Sequence, residues 1–199
     1  MIVIFDLDYT LFNTNKLKGD IAKILNIDIE QYNNDCKRCF TDKNIVYNPY
    51  ELLRILKNER RISSIKNYKE RIENLLTPAN KYLYNGALAV IKKFKERDYR
   101  LVLLSVGDKK WQNRKINGLK IRKYFDSIVI LEKDKHKNLK FLKKEKEKVL
   151  IINDNAGETI DMKKAIGKCE TCLIHGPYSK NVKHNFNAYK IKDCLKMYD

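Results

Sequence analysis

Asp6 and Asp8 stand one residue apart at the end of the short apolar run Ile2-Val3-Ile4-Phe5. Carboxylates this close repel each other, and the arrangement is costly without a cation or a proton to accompany it. Three more polar groups follow apolar runs in the same manner. Ser105 comes after Leu101-Val102-Leu103-Leu104, Asp154 after Val149-Leu150-Ile151-Ile152-Asn153, and Lys135 shortly after Ser127-Ile128-Val129-Ile130-Leu131. Carboxylates with oxygens to spare suit magnesium, which is held by one or two acids together with water and substrate phosphate. A hydroxyl and an ammonium are the donors a phosphoryl group needs. An aspartate can itself be the nucleophile and carry the phosphoryl group covalently.

These groups can meet only if the apolar runs before them are neighbouring strands. A run of four or five apolar residues reads as a strand buried on both faces, which belongs inside a parallel sheet. Such runs cover residues 1–6, 100–105, 127–131, 149–154 and 171–174, and helical patterns at 87–95, 109–123, 136–146 and 157–167 separate them. Residues 189–191 suggest an edge strand before a short terminal helix. The alternation predicts an α/β fold, a Rossmann-like three-layer parallel sheet with right-handed crossovers, whose ligands bind at the C-terminal strand ends. Residues 14–84 contrast with this, for they show helical patterns and no strands. Asn48-Pro49 supplies an N-cap and a first helical position. Ser63 or Ser64 caps a helix with Ile65, Tyr68, Ile72, Leu75 and Leu76 on one face. The expected division is a core of 1–13 and 85–199 with a helical cap subdomain of 14–84 inserted.

The motifs now line up in order. Asp6-Leu7-Asp8-Tyr9-Thr10-Leu11-Phe12 resembles the first motif of the haloacid dehalogenase-like phosphohydrolases. Leu103-Leu104-Ser105-Val106-Gly107 resembles the second, Lys135 the third (with Lys137 as the alternative), and Asn153-Asp154-Asn155-Ala156-Gly157-Glu158 the fourth. Asn153 departs from the Gly or Asp usual in the family before the fourth-motif acid. The resemblance implies a two-step phosphoryl transfer, with Asp6 as nucleophile and Asp8 as the acid and base. It implies magnesium held by Asp6, the backbone carbonyl of Asp8, and Asp154. Ser105 and Lys135 would hold the phosphoryl oxygens, Thr10, Val106 and Gly107 would complete the phosphate pocket, and Glu158 would orient metal waters or Lys135. The dehalogenase branch lacks the second aspartate, so Asp8 favours phosphatase chemistry. In the resembled family an insert like 14–84 is a mobile cap that selects substrate, with Asn13, Thr14, Lys16 and Tyr47 as candidate contacts.

The expected activity is a magnesium-dependent phosphatase acting on a small phosphorylated metabolite or nucleotide. The alternatives are a phosphomutase, a polynucleotide phosphatase or a non-catalytic binding protein on the same fold. The formal charge of +17 suits a nucleic-acid partner. The abundance of Lys, Asn, Ile and Tyr is equally a compositional bias. No run approaches the roughly 20 apolar residues of a membrane span. The start of the chain shows no secretory leader, so the five cysteines read as reduced thiols of a cytoplasmic protein. Cys36/Cys39 and Cys169/Cys172 could in principle join at zinc, although ordinary semi-buried thiols account for them more simply. His136, His175 and His184 show no paired spacing and read as structural or surface residues.

Overall fold

A computed structural model describes residues 1–139 and 147–197. In chain order the elements are β1 (Ile2–Phe5), α1 (Thr14–Leu25), α2 (Ile29–Cys36), α3 (Pro49–Asn58), α4 (Ile65–Leu75), α5 (Ala87–Glu96), β2 (Arg100–Val106) and α6 (Lys109–Asn117). They continue with β3 (Ser127–Leu131), β4 (Val149–Asn153), α7 (Ala156–Ile166), β5 (Glu170–Ile174) and β6 (Ala188–Tyr189). The chain divides into two compact units: Met1–Asn13, Leu83–Val106 and Lys120–Asp199 form one, Thr14–Tyr82 with Gly107–Leu119 the other.

The first unit is a six-stranded sheet in the order β3-β2-β1-β4-β5-β6, with every pair parallel. β1 lies at its centre, where Phe5 pairs with Leu103 on one side and Ile152 on the other. Side chains alternate between the faces of a strand. Ile2 and Ile4 therefore face one layer, packing with Leu104, Ile151, Met162 and Ile166 of α7. Phe5 faces the other, against Phe94 of α5 and Phe125. The two helical layers around one sheet are the predicted Rossmann-like α/β architecture.

Two elements differ from their predicted form. The helix expected over 136–146 opens with a 3-10 turn at Lys135–Asn138, and residues 140–146 of it lie outside the described residues. Asp134 enters the turn left-handed at φ 54°, and Lys135 and Leu139 both turn inward, which a continuous amphipathic helix would not require. The helical stretch expected around 109–123, with Asn117-Gly118 as its punctuation, breaks at that pair: α6 ends at Asn117, and the part after it is a 3-10 turn at Lys120–Tyr124.

The second unit is helical. Asn48 caps α3 through Tyr50 N at 2.8 Å, with Pro49 at the first helical position, and Ser64 caps α4. Arg61 grips Asp35 with two bonds of 2.7 and 2.8 Å, and Arg38 joins them through Asp35 and Glu59. Lys16 bonds to the Lys81 carbonyl, and the Tyr47 hydroxyl to that of Tyr32. Residues 107–119, which the sequence boundary assigns to the core, group with this unit because Ala79 N bonds to Gly118 O and Arg114 pairs with Glu73.

Candidate active site

Asp6 is the first residue beyond β1, and its amide still bonds to Ile152 O at 3.0 Å. The chain then turns sharply. Leu11 and Phe12 both donate to the Leu7 carbonyl, and Tyr9 donates to Phe12 O. Tyr9 has φ 60°, a left-handed conformation uncommon for a bulky side chain. The turn holds Asp8 beside Asp6 and brings Thr10 beneath them. Thr10 Oγ1 lies 3.2 Å from Asp6 Oδ2 and 3.4 Å from Asp154 Oδ1. One hydroxyl proton can serve only one of those oxygens at a time.

Lys135 enters from the 3-10 turn after β3. Its Nζ lies 2.6 Å from Asp6 Oδ1 and 2.7 Å from Glu158 Oε2, and the residue is 5% exposed. Lys137 turns outward to Asp134 instead. Glu158 sits in the first turn of α7, whose N-cap Asn155 accepts from Glu158 N at 3.1 Å. An acid in that turn is favoured by the helix dipole. Asn153 also reaches Glu158 Oε2, at 3.4 Å.

The electrostatics follow from burial. Burial pushes the Asp6 carboxyl up to about 6, against the pull of Lys135. Burial, then the negative charge of Asp6, pushes Asp154 up to about 8. Burial would depress Lys135, but the Asp6 and Glu158 carboxylates more than offset it and hold the ammonium above its ordinary value. Asp154 Oδ2 is buried without a hydrogen-bond partner. Two neighbouring carboxylates, one with an orphaned oxygen, are a donor set that a hard divalent cation would satisfy. Among the described residues, no three His, Cys, Asp or Glu side chains form a cation cage by themselves.

Asp6, Asp8, Val106, Lys135, Asp154 and Glu158 line one cavity of about 300 Å³. Thr10 lies buried under the two carboxylates without lining it, and Ser105 is buried within β2 opposite Ile130. Gly107 follows Val106 with φ 151°, and a Cβ there would lie 2.7 Å from the Gln112 amide. The five cysteines are free, and Cys172 meets Cys194 rather than Cys169.

Sequence reasoning missed the opposite wall. Tyr9, Tyr178 and Asn155 also line the cavity, and the two tyrosine rings meet edge-on at 5.6 Å. Gly176 backs Asp154 so closely that a Cβ would lie 2.7 Å from Asp154 Oδ2. The same loop is fastened to α7, because Asn181 Nδ2 donates to Asn155 Oδ1 and Gly157 N donates to Asn181 Oδ1. The Gly176-Pro177 pair is the one local signal that the chain had to come close here.

The sequence model of the haloacid dehalogenase-like hydrolases matches residues 3–168. A protein from Burkholderia xenovorans LB400, described as a haloacid dehalogenase-like hydrolase, has a similar structure. It is 21% identical over 98% of this chain and 95% of its own, with a TM-score of 0.79. A protein described as a β-phosphoglucomutase from Thermotoga maritima is 18% identical over 99% of this chain and 97% of its own, with a TM-score of 0.61. The HAD-hydrolase YfnB from Bacillus subtilis, solved bound to magnesium, is 15% identical over 99% and 96% of the two chains, with a TM-score of 0.57. Identities this low establish a shared fold. No curated protein sequence matches the chain significantly.

Proposed function

The chain belongs to the haloacid dehalogenase-like hydrolases, and from that premise we propose that it is a magnesium-dependent phosphatase of small phosphomonoesters. The observation that carries the reading is that Asp8 lines the same cavity as Asp6, Lys135 and Asp154. A phosphate ester needs a proton for its leaving oxygen, and a second acid beside the nucleophile can supply it. A cavity of about 300 Å³ has room for a small ester.

Magnesium would be held by Asp6, the Asp8 carbonyl and Asp154, where it would neutralise charge on the phosphoryl oxygens. The orphaned Asp154 Oδ2 and the two acids around Thr10 fit that demand. Asp6 attacks phosphorus, forming an acyl phosphate as the ester P–O bond breaks. Asp8 gives its proton to the departing oxygen. Asp8 then takes a proton from water as that water attacks phosphorus, and inorganic phosphate leaves with Asp6 restored. Lys135, fixed by Asp6 and Glu158, keeps the nucleophile ionised and balances charge on the phosphoryl group. Ser105, with Val106 and Gly107, is assigned to the phosphate pocket, Thr10 to the support beneath its carboxylates, and residues 14–84 to a cap that selects substrate. The reduced thiols are read with a cytoplasmic setting.

Asp6→Asn tests the reading with an aryl phosphate and magnesium. Hydrolysis should fall to background, and retention of full turnover would refute the nucleophile assignment. The likeness to the Thermotoga maritima protein favours one second reading, transfer to a sugar hydroxyl instead of water. Product analysis with a sugar phosphate separates the two.

A further inference from the structure

A second cavity, of about 430 Å³, opens at the C-terminal ends of β5 and β6. Ile174, the last residue of β5, and Ile191 line it, and each is 3% exposed. Around them stand Tyr84, His175, Lys190 and Lys192, with no carboxylate in the lining. Among the described residues neither lysine ammonium has an ion-pair partner. Gly86 backs Lys192 from behind the lining. It has φ 88°, and a Cβ there would lie 2.6 Å from the Cβ of Lys192, so only glycine lets the Lys192 backbone seat against it. The cavity falls within the size range of small-molecule sites.

Unpaired lysines are expected over a surface with 42 basic and 25 acidic residues. Two features separate this pair from the rest: the concavity, and the buried apolar floor. We propose that this cavity binds an organic anion, a carboxylate or phosphate carried on a small apolar skeleton. Lys190, Lys192 and His175 would take the charged group, since charge-assisted bonds are the strong ones. Ile174, Ile191 and the Tyr84 ring would take the skeleton. Tyr84 N donates to Leu11 O, and His175 directly precedes Gly176, which packs on Asp154, so the two cavities are neighbours. The anion is then either a distal group of the phosphatase substrate or a separate metabolite. Binding itself stands apart from the phosphatase reading, because it is read without turnover; only the choice between these two sources rests on that reading.

The probe is phenylphosphonate, whose C–P bond resists hydrolysis, titrated into full-length ¹⁵N-labelled protein. The amides of 84–86, 174–175 and 190–192 should shift saturably, and should still shift in Asp6→Asn. The double variant K190E/K192E should lose those shifts while keeping a dispersed spectrum. K190Q/K192Q, milder for the fold, should weaken binding at this cavity at least about tenfold. Unmoved amides in the wild type, or unchanged titration in K190Q/K192Q, would overturn the proposal. Esters with one and with two anionic groups then distinguish the sources. A KM raised in K190Q/K192Q for the doubly charged ester alone assigns the cavity to substrate. An equal KM for both esters, with phenylphosphonate binding still lost, assigns it to a separate metabolite.

Discussion

Lys135→Met removes a buried cation that lies 2.6 Å from Asp6 and 2.7 Å from Glu158. Breaking a buried ion pair by deleting one partner costs about 3–5 kcal/mol. Asp6 can limit its share of that cost by taking up a proton. With an unfolded value of 3.8, protonating it at pH 7 costs about 4 kcal/mol. The pH dependence carries the sharper signature. Asp6 is raised to about 6 in the folded wild type, so its contribution falls with rising pH from near 4 and flattens above 6. Without Lys135 the folded value rises further, because the ammonium is what lowers it. The variant therefore goes on losing stability above pH 6, at about 1.4 kcal/mol per pH unit relative to wild type, until its own higher value is reached. Urea denaturation of both proteins in chelator at pH 5, 6, 7 and 8 measures this. A destabilisation below about 1 kcal/mol at pH 7, or a wild-type-to-variant difference constant from pH 6 to 8, would refute the reasoning.

Three further outcomes follow from the same geometry. Asp154 is raised from 3.8 to about 8 in the metal-free fold; the stability it contributes is full at low pH and lost as pH rises through 8. Asp154→Asn should remove the part of that decline between pH 6 and 8, and an unchanged slope in urea melts would contradict the assignment. Gly176→Ala inserts a Cβ 2.7 Å from Asp154 Oδ2, and should weaken magnesium activation about 10–100-fold, read as the magnesium concentration giving half-maximal turnover. Asp8→Asn should slow release of the alcohol from alkyl phosphates in the first turnover by about 10²–10⁴ but the first-turnover burst from aryl phosphates with good leaving groups much less; equal losses in that first turnover would remove Asp8 from the proton-donor role.

The sheet was legible because each central strand is buried on both faces, so Ile2–Phe5 and Val149–Ile152 show as unbroken apolar runs. The ordering of strand ends followed, and with it the meeting of Asp6, Lys135 and Asp154. The choice between Lys135 and Lys137 was not settled by pattern, since both lie in a lysine-rich stretch; packing separates them, one 5% exposed against Asp6 and the other turned to Asp134. The same inward turn of Lys135 and Leu139 is why a helical pattern at 136–146 begins as a 3-10 turn. Gly176 and Tyr178 left no trace beyond the Gly176-Pro177 pair. Their roles depend on contacts with Asp154 and Tyr9, far away in the chain, and no local periodicity records such an approach.

The central claim is that Asp6 carries the phosphoryl group between two half-reactions. Asp8→Asn slows the second half by removing the base that activates water, so the intermediate should accumulate with an aryl phosphate and magnesium. Acid quench, digestion and mass spectrometry should then find one added phosphoryl group on the peptide containing Asp6. Turnover of the ester with that peptide unmodified at every time point would contradict the account.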